Sequence, residues 1–273
     1  MEPGLSPDMS AEAYHAVPAL SKSVLDALHR SPAHMLAYLR EPHKDTPATI
    51  EGSLFHCLTM EPELFEARYA VVDGNRQTKA VKEQVQAAEA EGKTVIRTEA
   101  LDNAKAMAAS VRAHPMAGAL LRAATGFELS MFWELTIGGL TIPCKARLDV
   151  VADVPGFGLA LADLKKTRDA SPRGMARHVL DYRYHVQASW YRHGFNVATG
   201  RTSRQFMLIC CEAEPPYPVG LYNISEAAQG LAHREVKADL ELLAECIKND
   251  NWPGYPEEIQ ELDLPAWAYK EVA

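Results

Sequence analysis

Pro143-Cys144-Lys145-Ala146-Arg147-Leu148-Asp149-Val150-Val151 and, a short turn later, Gly158-Leu159-Ala160-Leu161-Ala162-Asp163-Leu164-Lys165 are two strand-like runs, each carrying an aspartate. Alternate residues of a strand share a face, so Asp163 and Lys165 project together while Leu164 turns into the core. The same spacing points Arg147 and Asp149 one way. Residues 159–162 form a compact apolar run, which reads as a strand covered on both faces. Two converging carboxylates suit a hard cation that takes oxygen ligands and keeps several waters. An adjacent ammonium can hold or deprotonate an attacking water. The combination is suited to metal-assisted phosphodiester hydrolysis.

An acid-x-Lys triplet alone is weak, and the chain also has Glu91-Gly92-Lys93 at a helix end and Glu235-Val236-Lys237 in a charged helical stretch. Only Asp163-Leu164-Lys165 closes an apolar strand. The alternative for any single match is a solvated strand end with a surface ion pair.

The 273 residues, 47% hydrophobic and 23% charged, are ordinary for a soluble globular chain with ample core. No apolar run reaches the length of a membrane span, and Met1-Glu2-Pro3-Gly4 lacks the basic and apolar regions of a signal peptide. The five cysteines are scattered without a C-x-x-C pair, which argues for reduced thiols in a cytoplasm and against zinc ribbons or iron–sulfur clusters. A net charge of −8 speaks at face value against nucleic acid. Residues 163–204, however, hold nine Lys/Arg against three Asp/Glu, a local +6 that leaves −14 for the remainder. That basic stripe can engage phosphates; the competing reading is a helix merely decorated with arginines.

Along the chain, Ser21 caps a helix carrying Val24, Leu25 and Leu28, and Ser31-Pro32 starts another with Met35, Leu36 and Leu39. Pro42 and Pro47 bracket a loop. Residues 50–69 read as helical with a break at Glu61-Pro62, and helices follow over 77–91 and 98–113. Strands are expected over 127–135 and 140–152 around a Gly138-Gly139 turn, and a turn through Phe157 leads to the Asp163 strand. One long helix is expected over 171–199, then strands over 205–212 and 219–223 and a helix over 225–248. The reading is one α/β domain: a helical part to about residue 50, a core over 51–250 and an extended proline-bearing tail over 251–273.

This ordered set resembles the PD-(D/E)xK nuclease superfamily, in its RecE-like (exonuclease VIII) and RecB-like branch. The matching residues are Gly52-Ser53-Leu54-Phe55-His56, Glu128 to Trp133, Arg147-Leu148-Asp149, Asp163-Leu164-Lys165 and Gln187-Ala188-Ser189-Trp190-Tyr191, with Leu20 to Ser23 and Asp181 to Gln187 as further points of similarity. The resemblance implies a restriction-endonuclease-like core, a mixed central sheet flanked by helices, with N-terminal helical additions. It implies Asp149 and Asp163 as metal ligands, the Leu164 carbonyl as a further one, His56 at the metal, and Lys165 at the water. Gln187 and Tyr191 would orient the lysine and the DNA backbone. Glu128 would complete the shell; Glu134, an even number of residues away on the same strand face, competes for that role.

Read without the family, His56 is as well explained by packing within its helix. Gly52, one turn earlier, would permit close approach of a strand or ligand. Tyr191 belongs to an aromatic-rich helix and could be core, and the interleaved arginines could help its aromatics stack bases of a frayed end. What the resemblance implies is a Mg2+-dependent exodeoxyribonuclease, Mn2+ substituting, that digests linear double-stranded DNA from its ends. The resemblance adds 5′-to-3′ direction, a phage or prophage setting, a ring-shaped homo-oligomer and a single-strand annealing partner. The rivals are a structure-selective endonuclease and a catalytically silent DNA-binding protein of the same fold.

Overall fold

The computed structural model of the protein describes residues 3–41, 46–156, 158–203 and 205–264; Pro42, Phe157, Arg204 and the tail from 265 lie outside the described residues. Small hydroxyl side chains start many of the helices. Ser10, Ser21 and Ser31 cap α1 (Ala11–Ala16), α2 (Lys22–Arg30) and α3 (Pro32–Arg40), each accepting a backbone N–H of the first turn. Of the loop expected between Pro42 and Pro47, residues 42–45 lie outside the described residues, and Pro47 stands where the next helix begins. It takes the first position of α4 (Pro47–Met60), where its missing N–H is no loss, behind a reciprocal cap between Thr46 and Thr49. After α5 (Phe65–Arg68), two three-residue strands, β2 (Tyr69–Val71) and β3 (Thr94–Ile96), pair in parallel around α6 (Lys79–Ala90). Next come α7 (Thr98–Ala113) and a helix absent from the sequence reading, α8 (Pro115–Arg122).

The main sheet contains β1 (Gly4–Ser6), β4 (Ala124–Ile137), β5 (Leu140–Val154), β6 (Gly158–Thr167), β7 (Gln205–Glu212) and β8 (Val219–Asn223), in the spatial order β1-β4-β5-β6-β7-β8. All neighbours are antiparallel except β6 and β7, whose parallel pairing needs a crossover. The crossover is two helices, not the single one expected over 171–199. After α9 (Pro172–Asp181), Arg183 adopts a left-handed φ of 50°, which stops the helix before α10 (Tyr184–Thr199) restarts it. The conformation is held by its guanidinium, which reaches Asp26 at 3.2 Å, Glu235 at 3.1 Å and Asp239 at 2.8 Å on α2 and α11 (Glu226–Asn249).

The sheet separates two cores. Leu148, Val151, Leu161 and Leu208 face α2, α10 and α11, while Val150, Ala160, Ala162 and Leu164 face α4, α7 and α8. Residues 159–162 are thus covered on both sides, as the apolar run predicted. On the first face α10 lies so close to β4 that a Cβ on Gly194 would stand 2.5 Å from the Trp133 ring, and Trp133 also packs on Trp190 at 4.9 Å. This contact fixes the helix that carries Gln187 and Tyr191. The strict alternation slips at one point: Leu148 and Val150, two apart, face opposite cores. Beside that slip, on β4, Glu128 takes a left-handed φ of 49°.

Candidate active site

The β5–β6 ladder runs from Val154↔Gly158 to Val150↔Ala162 and ends there, one position short of Asp149 and Asp163. Beyond it a side chain replaces the strand–strand bond: Asp149 Oδ2 accepts the Leu164 N–H at 2.8 Å. Both aspartates are buried, and Leu164 is turned into the second core between Asp163 and Lys165. The sequence reading of alternate faces holds in detail here, with Lys165 Nζ 2.6 Å from Asp163 Oδ2.

α4 brings His56 over this opening. Its Nε2 is 2.8 Å from the Leu164 carbonyl, and its Nδ1 is 3.5 Å from Glu128 and 3.6 Å from Asp149. Glu128, turned inward by its left-handed backbone, also accepts a 2.8 Å bond from Arg147 Nε. Arg147 therefore serves Glu128 and not the neighbouring Asp149. Among the described residues, one atom each from His56, Glu128 and Asp149 lie within 4.8 Å of one another. Glu134 is exposed, opposite Pro143, and takes no part in this group.

Asp163 and the Leu164 carbonyl stand beside that trio with partners of their own. Gln187 Nε2 donates to Asp163 Oδ1 at 2.5 Å, Lys165 takes Oδ2, and the Leu164 carbonyl faces His56. Gln187 thus orients the aspartate, and only through it the lysine. Tyr191, on the same helix face, lines the groove and packs edge-on against Phe206. Tyr184 sits with its ring centroid 4.6 Å from Lys165 Nζ, a contact that only an aromatic-rich helix hinted at in the sequence. Among the described residues, no atom outside the neighbouring backbone of its own helix lies within 4 Å of where a Gly52 Cβ would stand, so none of them makes the close approach that Gly52 permits.

Charge in the cluster is uneven. Burial and then repulsion from Asp163 push the Asp149 carboxyl up to about 8, although His56 opposes this. Burial disfavours the charge on His56, but Asp149 and Glu128 outweigh it and raise the imidazole to about 9. Burial raises Glu128, and His56 and Arg147 together pull it below the ordinary carboxylate range. Burial likewise opposes the Lys165 ammonium, yet Asp163 and Asp149 hold it above the ordinary lysine range. A divalent cation fits this set: two carboxylates and an imidazole converge, and a cation would offset the burial and the Asp163 repulsion that raise Asp149. The outer contact also fits, because a metal-ligating His usually gives its second ring N–H to a carbonyl, here that of Leu164.

The basic stripe disperses. Lys166 pairs with Glu51 at 2.6 Å, Arg183 is enclosed by acids, and Arg192 bonds the Ser203 carbonyl. Arg168, Arg173 and Arg177 are exposed around α9. No helix among the described residues is long and apolar enough to cross a membrane.

No curated protein matches the chain. Among solved structures it is similar to a candidate exonuclease from Eubacterium rectale, at 13% identity and a TM-score of 0.62, with 97% of this chain and 99% of that one aligned. A second similarity, to SSO0001, has 15% identity and a TM-score of 0.29 over 68% of this chain and 86% of that one, too low to carry an argument. The first supports the fold seen here, a six-stranded mixed sheet between helical layers. A family match spans residues 21–265 and so includes every residue of the cluster. The chain belongs to the family described as the PDDEXK-like domain of unknown function (DUF3799), and with it to the PD-(D/E)xK nuclease superfamily.

Proposed function

We propose that the protein is a divalent-metal-dependent exodeoxyribonuclease acting on the ends of linear double-stranded DNA. The observation that carries this reading is the convergence of His56, Glu128 and Asp149 beside the Asp163–Lys165 pair, where β5 and β6 part. Family membership supports a nuclease, and the likeness to a candidate exonuclease favours the exonucleolytic form. Mg2+ suits the oxygen-rich donors, with Mn2+ as a substitute that tolerates the imidazole. When bound, the cation would polarise the phosphoryl oxygens, lower the pKa of an attacking water and steady the leaving 3′-oxygen.

The remaining work belongs to the chain. Asp149, Glu128 and His56 Nδ1 supply the ligands, with Asp163 next to them. His56 is held in place by its Nε2–H to the Leu164 carbonyl. Gln187 fixes Asp163, and Asp163 fixes Lys165. Lys165, ion-paired with Asp163, would hold the nucleophilic water and stabilise charge growing on the phosphoryl oxygens. Breaking the phosphorus–O3′ bond leaves a 5′-phosphate on the product.

The test is incubation of the pure protein in Mg2+ with two DNAs of one sequence, a linear duplex and a covalently closed circle. Loss of the linear form alone, stopped by a chelator, is the expected result. Loss of both would make the protein an endonuclease, and no cleavage in Mg2+ or Mn2+ would end the nuclease reading.

A further inference from the structure

The groove containing the carboxylate cluster has a volume of about 1450 Å³. That exceeds the roughly 300–1,000 Å³ of a pocket for one small molecule and leaves room for more than one nucleotide. One wall of it is formed by Tyr14 to Leu20, the end of an N-terminal arm (residues 4–20) that precedes the stretch matched by the family. The arm is bonded down by the same strand that carries Asp149. Arg147 Nη1 donates to the Met9 carbonyl at 3.3 Å, and Lys145 Nζ to those of Tyr14 and Val17 at 2.9 and 2.7 Å. The Leu20 backbone bonds Pro143 O at 2.8 Å and the Lys145 N–H at 2.9 Å.

Away from the carboxylates the wall is apolar and aromatic: Tyr14 from α1, Met35, Tyr38 and Leu39 from α3, and Ile142 from β5. Tyr38 and Leu39 remain 42% and 56% exposed, large apolar groups left facing this side of the molecule. The four Lys and Arg side chains that line the groove already have protein partners: Lys22 with Asp26, Lys145 with the arm carbonyls, Arg147 with Glu128 and Lys165 with Asp163. Lys and Arg side chains supply the grip on duplex phosphates, and these four are already engaged within the chain. Stacking on rings and aliphatic surface is how proteins hold unpaired bases.

We infer that the exposed Tyr38 and Leu39 of α3, on the same groove wall as the buried Tyr14 and Ile142, are a subsite for unpaired nucleobases, so that the DNA strand enters the carboxylate cluster single-stranded at its end. The inference rests on the nuclease reading above and names the form of DNA end that the site takes. Recognition is by stacking and apolar contact, with no hydrogen-bond readout of sequence.

The test compares kcat/KM on linear duplexes that differ only in carrying a blunt end or a short single-stranded overhang. The wild-type protein is expected to favour at least one overhang polarity. Tyr38→Ala and Leu39→Ala, both at exposed positions, are expected to bring the overhang-to-blunt ratio toward one through KM, by about tenfold for Tyr38. Met116→Ala, an equally exposed change on α8 away from the groove, should keep the wild-type ratio. A second arm needs no cleavage: anisotropy of a fluorescein-labelled oligodeoxyadenylate in Ca2+ should show weaker binding to Tyr38→Ala than to wild type. Efficient cleavage with no overhang preference, or with a preference untouched by both substitutions, would overturn the subsite and leave the nuclease intact. A protein that cuts no DNA would remove the nuclease reading, and the binding arm would then decide on the subsite alone.

Discussion

Two buried ionic clusters lie on either side of α10, and they are built to opposite ends. In the first, around Arg183, every acid has a fixed donor: Asp26 takes Lys22 and Arg183, Glu235 takes Arg183 and His185, and Asp239 takes Arg183 and His29. In the second, Asp149 is pushed up to about 8 by burial and by Asp163, even with His56 and Lys165 close by. The first cluster is complete without a ligand and joins α2, α10 and α11. The second sets His56, Arg147 and Lys165 against Glu128, Asp149 and Asp163, and its strain falls on Asp149, where β5 and β6 no longer bond each other. Repulsion kept inside an otherwise well-packed sheet is what a bound cation would relieve, and ion-pair number alone would not separate the two clusters.

The comparison breaks if removing an acid acts alike in both. Asp149→Asn keeps an oxygen for the Leu164 N–H but removes a repelled carboxylate. Cleavage should fall on the order of a thousandfold, ~4 kcal/mol of transition-state stabilisation, while the metal-free protein melts no lower than wild type. A clear drop in melting temperature would mean that the carboxylate is structural. Arg183→Ala should do the reverse and lower stability by about 3 kcal/mol in urea titration, because Asp239 is left buried with its main donor gone. Arg183→Lys should restore only part, since an ammonium cannot span three carboxylates in a planar fork.

Acidity sharpens the contrast. A group whose pKa is raised on folding contributes stability that is complete below its unfolded value and is lost as pH climbs through the folded one. Asp149, raised to about 8, and His56, raised to about 9, both have this sign. With chelator present, the melting temperature is expected to decline between about pH 6 and 9, and Mg2+ should flatten that decline by displacing the proton on Asp149. Calorimetric titration in two buffers of different ionisation enthalpy should show proton release on Mg2+ binding near neutral pH. No release would show that Asp149 is already ionised in the empty site.

Much of the strand pair that carries the two aspartates could be read directly from the chain. Period-two alternation gave the shared face of Asp163 and Lys165, and the apolar run at 159–162 gave a strand covered on both sides. Alternation could not give Glu128 its place, because a left-handed residue turns that side chain inward, and so parity left Glu134 as its equal. Nor could local pattern end the helix at Arg183, where distant acids from α2 and α11 help to hold the break. The arm at residues 4–20 was missed for a similar reason. β1 is three residues long, and its anchoring comes from Lys145 and Arg147, more than a hundred residues away. Local sequence shows which residues share a face; it does not show which distant charge bends the backbone.

The smallest effect expected concerns Tyr184, the first residue of α10, which follows Arg183 directly and so ties the two clusters together. Its ring lies under the Lys165 ammonium, and such a contact is worth roughly 0.5–2 kcal/mol. Tyr184→Leu should cut kcat several-fold with little change in KM, whereas Tyr184→Phe, which keeps the ring face, should retain nearly all of it. If both substitutions are equally harmful, the hydroxyl matters and not the face. If neither is, Lys165 is held by Asp163 alone. A drop in melting temperature shared by both, without the split in kcat, would reduce Tyr184 to packing between α9 and α10 and cut the link between the clusters.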